Sequence, residues 1–491
     1  MSDNIPKSFK QVETNVFRDE WMRAIEEELD SHRINNTWDI VPKPGKEKTI
    51  LNTKWVFTVK YSITGEEIAK ARLVAIGCEE QYEYDDEELY SPVCPIEITR
   101  LMLSIAQERR FRIITMDVIT AYLYGILQRE IYLQAPLGMN INGQQNALKL
   151  NKSLYGLHIA SKCWYITLLT ELQSIGYCAS AAEKCLFFKR DGTDIAFLII
   201  YVDDILLVTN SDKIQAETIH ILQSRFLVKI CDNPNKYIGM ELEREGGEIH
   251  LHQKQFITKM AKSFGITEED YTGTPMEKNL RIQGSETPNT DREYRTYIGT
   301  LLYVSRYSRP DISYCVNKLS QFQNYVTPTI KAYARRVMRY LYNTRNAKIV
   351  YQFLDPEIFR TFVDASYAPD IKYDQNECSF GDIDARSVSG YLNFHRGNLT
   401  NWGTQKQTIT ATSSAAAEII AIIDHFDAIV IPRDILIEIF GEETTVQIHE
   451  DNSSATMCLK GCKNRKMRHI THKSESSTRR CLCGRNPTPE N

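Results

Sequence analysis

The sequence of 491 residues has no strong charge imbalance, no long apolar run and no cysteine framework. A formal net charge of −4 excludes a protein that grips polyanions by bulk charge, so any nucleic-acid surface must come from local patches. The longest apolar stretch near the centre, Ala196 to Val202, is far shorter than the roughly 20 residues that cross a bilayer. The N-terminus, M-S-D-N-I-P-K-S-F-K, lacks the apolar core of a secretion signal. A cytosolic or nuclear protein without a membrane partner is therefore expected. The 12 cysteines follow no scaffold spacing, which points to free thiols in a reducing compartment. There is no internal repeat and no low-complexity block. A chain that is 42% hydrophobic and 25% charged has the composition of a soluble globular protein, and its length suits about three domains.

What is present centres on Ala196 to Val208, A-F-L-I-I-Y-V-D-D-I-L-L-V. Two β-branched-rich runs flank Asp203 and Asp204 and read as a hairpin buried on at least one face. Asp-Asp is not a favoured turn pair. Adjacent carboxylates between apolar strands repel each other and resist desolvation unless a cation sits beside them. A hard cation such as Mg²⁺, which takes oxygen ligands, meets that need; a plain solvated turn is the alternative.

Along the chain, Phe17, Trp21, Ile25 and Leu29 predict an amphipathic helix. A strand at 55–60 turns near Thr64-Gly65 into one at 68–75, where Lys70 and Arg72 share a face that could hold a triphosphate or simply meet solvent. A helix at 98–107 precedes a strand at 111–116 that delivers Asp117, followed by a helical segment stopped at Gly125. Asp117 could serve chemistry at a strand end or cap a helix. Helices are expected to Leu172 and from Ile214 to Phe226, a hairpin at 237–252, and a helix at 253–264. Residues 272–292, rich in Gly, Pro, Ser and Thr, read as a linker. In the helical stretch 294–343, Lys331, Arg335 and Arg339 form a basic stripe, a solvated face or a nucleic-acid track. Strands at 359–363, 389–394 and 399–402, a helix at 413–440 interrupted or kinked at Pro432, and a strand at 445–449 then present Asp364, Glu418 and Asp451. Two acidic clusters result. Three carboxylates on one patch can hold two divalent ions about 3.5–4 Å apart, the arrangement of phosphoryl transfer, and together the clusters describe a polymerase followed by a nuclease.

The ordered series of motifs resembles the reverse transcriptase–RNase H part of copia-type LTR retrotransposon Pol polyproteins. It runs K-W-V-F at Lys54, K-A-R-L-V-A at Lys70, Y-S-P-V at Tyr90, M-D-V at Met116, S-L-Y-G-L at Ser153 and Y-V-D-D at Tyr201. Y-I-G-M at Tyr237, S-R-P-D-I at Ser308, R-S-V-S-G-Y at Arg386, the S-S-x-x-x-E run ending at Glu418 and E-D-N at Glu450 continue it. The resemblance implies an α+β right-hand polymerase with fingers, palm and thumb, then a truncated RNase H-like α/β domain. The expected layout is a helical lead-in at 1–35, reverse transcriptase at 36–271, a linker and helical connection at 272–355, the RNase H-like domain at 356–475 and a basic tail at 476–491. It implies Asp117, Asp203 and Asp204 as ligands of two Mg²⁺ ions, with Asp364, Glu418 and Asp451 as nuclease ligands of Mg²⁺. Lys70 and Arg72 would face the deoxynucleoside triphosphate, Tyr122 would crowd a ribose 2′-OH, Tyr155 and Gly156 would line the nucleotide pocket, and Gly239 and Met240 would hold the primer end. The implied partners are an RNA template, a DNA primer, RNA–DNA hybrid, and an element-encoded capsid and integrase. The implied location is a cytoplasmic particle or the nucleus.

Departures temper this. The family's K-Q-A-P-R is here His158-Ile-Ala-Ser-Lys162, and its E-A-E-Y is Ala416-Ala-Glu-Ile419. A last segment carrying a fourth carboxylate is missing, so weak or absent nuclease activity is expected, as for a fragment or degenerate copy. A catalytically inactive relic that binds RNA–DNA hybrid, or an inert product of a decayed element, are the rival readings. Cys458, Cys462, His469 and His472 lack the long loop of a zinc finger, and the basic run 460–485 suits either a phosphate backbone or solvent.

Overall fold

In the computed structural model, strands Asp194–Tyr201 and Asp204–Thr209 pair antiparallel, Ile199 opposite Leu206 and Tyr201 opposite Asp204. Residues 1–61, 66–139, 141, 145–268, 271–278, 280–353, 355–369, 385–441 and 444–459 are described. The predicted turn at Thr64-Gly65, three of the four Cys/His candidates for zinc (Cys462, His469 and His472) and the basic 460–485 run lie outside them. The chain forms a mixed α/β structure of two units. The first takes Met1–Cys94, Ile114–Ala179 and Lys184–Asp232; the second takes Pro95–Ile113, Ser180–Glu183 and the described residues from Asn233 onward. No helix among the described residues is long and apolar enough to cross a membrane.

In the first unit the Asp-Asp hairpin occupies the middle of a six-stranded sheet. The spatial order is Val228–Cys231, Arg112–Val118, Asp204–Thr209, Asp194–Tyr201, Leu186–Asp191, Cys178–Ala179. Ala196 to Ile200 and Ile205 to Val208 are buried on both faces, which explains unbroken apolar runs without alternation. Helices Ala160–Ser174 and Asp212–Arg225 contribute Trp164, Leu168, Leu172, Ile214 and Leu222 to this core. The segment after Asp117 is a short 3₁₀ turn, Ala121–Tyr124, and not an α-helix. Thr120 enters it with φ +57°, a left-handed residue that breaks a regular helical start.

A second layer of this unit is the hairpin Thr53–Tyr61 and Glu67–Ala75. Ala69, Ala71 and Leu73 are buried and Lys70 and Arg72 half-exposed, as the period of two requires. Helix Arg18–Ile34 covers it, packing Trp21, Ala24, Ile25 and Leu29 against Trp55, Phe57 and Leu73. Its Glu28, also buried, accepts a hydrogen bond from the Leu73 amide at 3.1 Å, satisfying a backbone donor on the free edge of the hairpin.

In the second unit, Lys236–Tyr237, Met240–Glu245, Glu248–His252 and Ile349–Tyr351 form an antiparallel sheet. Helices Lys254–Ser263, Arg292–Tyr307, Ser313–Ser320 and Pro328–Asn343 share one core. The predicted linker carries no helix or strand over 272–290 among its described residues, yet Met276 and Ile282 pack on that core and the Ser285 amide donates to Tyr325. The basic stripe is largely spent inside the unit. Lys331 pairs with Asp291 and Glu293, and Arg335 donates to the Phe264 carbonyl at 2.9 Å, which argues for an internal tie and against a nucleic-acid track.

A four-stranded sheet follows in the order Asn398–Lys406, Val388–His395, Phe359–Ser366, Val446–His449, the last pair parallel. Helix Ser414–Asp424 packs on it. The helical break falls at His425, whose ring binds the Ala421 carbonyl at 2.8 Å. Pro432 lies inside the continuing helix Phe426–Phe440, where it forfeits one donor without ending the element.

Candidate active site

Strand Arg112–Val118 is the sheet neighbour of Asp204–Thr209, and the Val118 amide donates to the Asp203 carbonyl at 2.9 Å. Asp117, exposed, thus stands beside half-buried Asp203 and Asp204. Burial raises the Asp204 carboxyl to about 6, with the charges of Asp203 and Asp117 adding to it. Burial and Asp117 raise Asp203 too, against the opposing pull of Arg72 and Lys60. Two carboxylates whose ionisation is hindered, with Asp117 beside them, are prepared for a cation.

The turn itself is held against its own preference. Tyr201 pairs with Asp204, so Val202 and Asp203 alone make the turn, and Val202 has φ +58°. A β-branched residue there is a steric outlier, costing about 1–3 kcal/mol. The Trp164 indole, almost fully buried, donates to the Val202 carbonyl at 2.7 Å.

Of the two cations on the Glu67–Ala75 strand, Arg72 faces the acidic cluster and lies over the Tyr155 ring, 5.3 Å from its centroid. Lys70 points elsewhere, its Nζ 3.9 Å from Glu27. Lys60 supplies the other positive field at Asp203 and Asp204; sequence reasoning missed it, because nothing local distinguishes an exposed strand-end lysine. Tyr122 and Tyr155 meet edge to face at 4.9 Å, and Ser161 donates to the Tyr122 hydroxyl at 3.2 Å. Burial lifts the Tyr155 phenol to about 12, keeping it a neutral donor. Gly156 has φ +94°, and a Cβ there would fall on the Ala75 carbonyl; only glycine lets this loop lie against the strand, with the Ala75 amide on the Tyr155 carbonyl at 2.8 Å. Gly239 and Met240 belong to the second unit. Gly239 has φ +84° and a Cβ would collide with the Tyr303 hydroxyl, while Met240 is fully buried.

The second unit assembles the other cluster. Asp364 comes from strand Phe359–Ser366, Glu418 from helix Ser414–Asp424 capped by Ser413, and Asp451 follows strand Val446–His449. One oxygen of each lies within 4.8 Å of the others, and among the described residues no other acidic, His or Cys group closes so tightly. Glu418 is 5% exposed and its Oε2 has no hydrogen-bond partner. Burial raises its carboxyl to about 7, and Glu450, Asp364 and Asp451 add their repulsion. Glu450 is thus a fourth carboxylate of the cluster, overlooked in the sequence although it adjoins Asp451. Beside it runs a groove of about 960 Å³ lined by Phe362, Asp364, Tyr391, Trp402, Glu450 and Asp451. Both donor sets are carboxylate oxygens, suited to a hard divalent ion, and such an ion would give the unpartnered, buried Glu418 oxygen a partner.

Comparison with known proteins fits this geometry. Residues 35–278 match the family described as reverse transcriptase (RNA-dependent DNA polymerase). The chain is 34% identical over 403 residues to the retrovirus-related Pol polyprotein from transposon RE1 of Arabidopsis thaliana, covering 81% of this chain and 27% of the relative. The corresponding polyprotein from transposon TNT 1-94 of Nicotiana tabacum is 31% identical over 433 residues, 85% of this chain and 32% of the relative. The chain thus spans about a quarter to a third of the length of these relatives. With residues 35–278 as its matching domain, the chain belongs to the reverse transcriptase family of copia-type Pol polyproteins.

Proposed function

We propose that the chain is an RNA-directed DNA polymerase acting by two-metal nucleotidyl transfer, with fingers, palm and thumb followed by an RNase H-like domain. The observation that carries this reading is the meeting of the Asp117 strand with the Asp203–Asp204 turn, in the field of Arg72 and Lys60. Two bound Mg²⁺ ions would activate the attacking oxygen and stabilise the leaving one; Asp117, Asp203 and Asp204 would hold them. The primer 3′-oxygen bonds to the α-phosphorus of a deoxynucleoside triphosphate, its proton passes to solvent, and pyrophosphate leaves. Arg72 offers a planar fork to the phosphates, joined by Lys60 and by Lys70 once it leaves Glu27. Tyr122, braced by Tyr155, would exclude a ribose 2′-OH, Gly156 would admit the nucleotide beside its loop, and Gly239 and Met240 would hold the primer end. RNA template, DNA primer and their hybrid are the partners, with an element-encoded capsid and integrase in a cytoplasmic particle or the nucleus.

Primer extension on an RNA template tests this, with Asp203→Asn as control. Mg²⁺-dependent incorporation by the wild type alone is expected; no incorporation above the control by folded protein would sink the reading and leave an inactive hybrid-binding relic.

A second activity is favoured by the tight Asp364–Glu418–Asp451 grouping. These residues suit hydrolysis of the RNA strand of a hybrid, in which water bonds to phosphorus and the 3′-oxygen departs. Glu450 brings a fourth carboxylate to the site. Mg²⁺-dependent cleavage abolished by Asp451→Asn is the expected result.

A further inference from the structure

We propose that Trp164 is a positioning residue for the polymerase carboxylates, acting through the backbone of the turn that presents them. This rests on the polymerase reading above. The turn offers two carbonyls, those of Val202 and Asp203, and each accepts a hydrogen bond from outside the hairpin. The Val118 amide takes the Asp203 carbonyl at 2.9 Å and the Trp164 indole takes the Val202 carbonyl at 2.7 Å. Val202 needs the restraint because φ +58° opposes a branched side chain. With φ positive at its first position only, the turn is of the kind that favours glycine there. Trp164 is suited to the task because it is packed on all sides. It is 1% exposed, and its ring meets Phe226 edge to face at 5.1 Å and Tyr124 at 6.3 Å. Its indole N–H is a donor with no accepting alternative. Losing that donor frees Val202 to rotate toward negative φ, and Asp203 and Asp204, the next two residues, turn with it.

The proposal separates a positioning role from packing by pairing two changes. Trp164→Phe keeps an aromatic ring and deletes the donor; Val202→Gly removes the strain the donor restrains. As a near-isosteric control, the tryptophan analogue with sulfur in place of the indole N–H deletes the donor alone. Two readouts are taken: kcat and KM for the nucleotide in primer extension, and Mn²⁺ affinity by electron paramagnetic resonance in an Asp364→Asn, Glu418→Gln, Asp451→Asn background, which removes the three grouped carboxylates of the second acidic cluster. Trp164→Phe and the sulfur analogue are expected to lower kcat about tenfold, the effect of one good hydrogen bond on a barrier, with KM little changed and Mn²⁺ bound more weakly. Adding Val202→Gly should restore most of both losses. Unchanged kcat and Mn²⁺ affinity in the sulfur analogue, or no recovery in the double variant, would overturn the proposal. A wild type that incorporates nothing would overturn the polymerase reading instead, and Mn²⁺ affinity would still decide the role of Trp164.

Discussion

Asp204→Asn removes a negative charge that sits against Asp203 and Asp117, and in chelator at pH 7.5 the variant is expected to unfold at a higher temperature than the wild type. The magnitude follows from the site. Moving the Asp204 carboxyl from its ordinary 3.8 to about 6, at about 1.4 kcal/mol per pH unit, makes its ionised form costlier by about 3 kcal/mol. The group is half-buried, so solvent screening reduces this to about 1–2 kcal/mol, or several degrees in the transition of a unit this size. The sign reverses the usual carboxylate case. The folded state holds the proton more tightly than the unfolded chain, so the destabilisation is complete above about pH 6 and fades as pH falls toward 3.8. The advantage of Asp204→Asn should therefore shrink steadily between pH 6 and pH 4. Mg²⁺ should then stabilise the wild type by mass action and the variant much less. Calorimetry across pH, with chelator or Mg²⁺, reads all of this. A variant less stable than wild type at pH 7.5 in chelator, or an advantage that grows on acidification, would refute the reasoning.

Gly156→Ala should destabilise the first unit by about 2 kcal/mol or more, since strain and a backbone collision coincide there; chemical denaturation checks it. Arg100→Met should cost the second unit about 3 kcal/mol in the same assay, because the buried guanidinium lies 3.7 Å from the Trp402 ring centroid and donates to the Thr400, Arg306 and Tyr307 carbonyls. Lys331→Gln should leave affinity for RNA–DNA hybrid unchanged in a filter-binding or polarisation assay, as that lysine is already committed to Asp291 and Glu293.

The features legible in the sequence are those written in short-range periodicity. The Asp-Asp hairpin stood out because two apolar runs and a carboxylate pair are adjacent, and Lys70 and Arg72 shared a face because strand side chains alternate. Yet alternation could not tell which cation turns to the acids and which to Glu27, since that depends on a helix some forty residues earlier. Lys60, Glu450 and Trp164 escaped for the same reason: each acquires its role from a partner that only the folded chain supplies. The basic stripe at Lys331 misled in the opposite direction, because helical spacing reports a shared face and says nothing of the acidic residues facing it. The interruption expected at Pro432 falls at His425, which carries no local mark of it, while Pro432 lies inside a continuing helix.

The helix Arg18–Ile34 lies wholly before residue 35, where the family match begins, yet its Trp21 and Glu28 serve the hairpin that carries Arg72. A protein trimmed to the family boundary would expose Trp55 and Phe57 to water and leave the Leu73 amide without its acceptor. Such a fragment should be insoluble even with Asp117, Asp203 and Asp204 in place. The smallest stable form of this unit would then be defined by an apolar cover contributed from outside the matched domain, and a segment of this chain chosen for expression by the family match alone would fail for a reason unrelated to its chemistry.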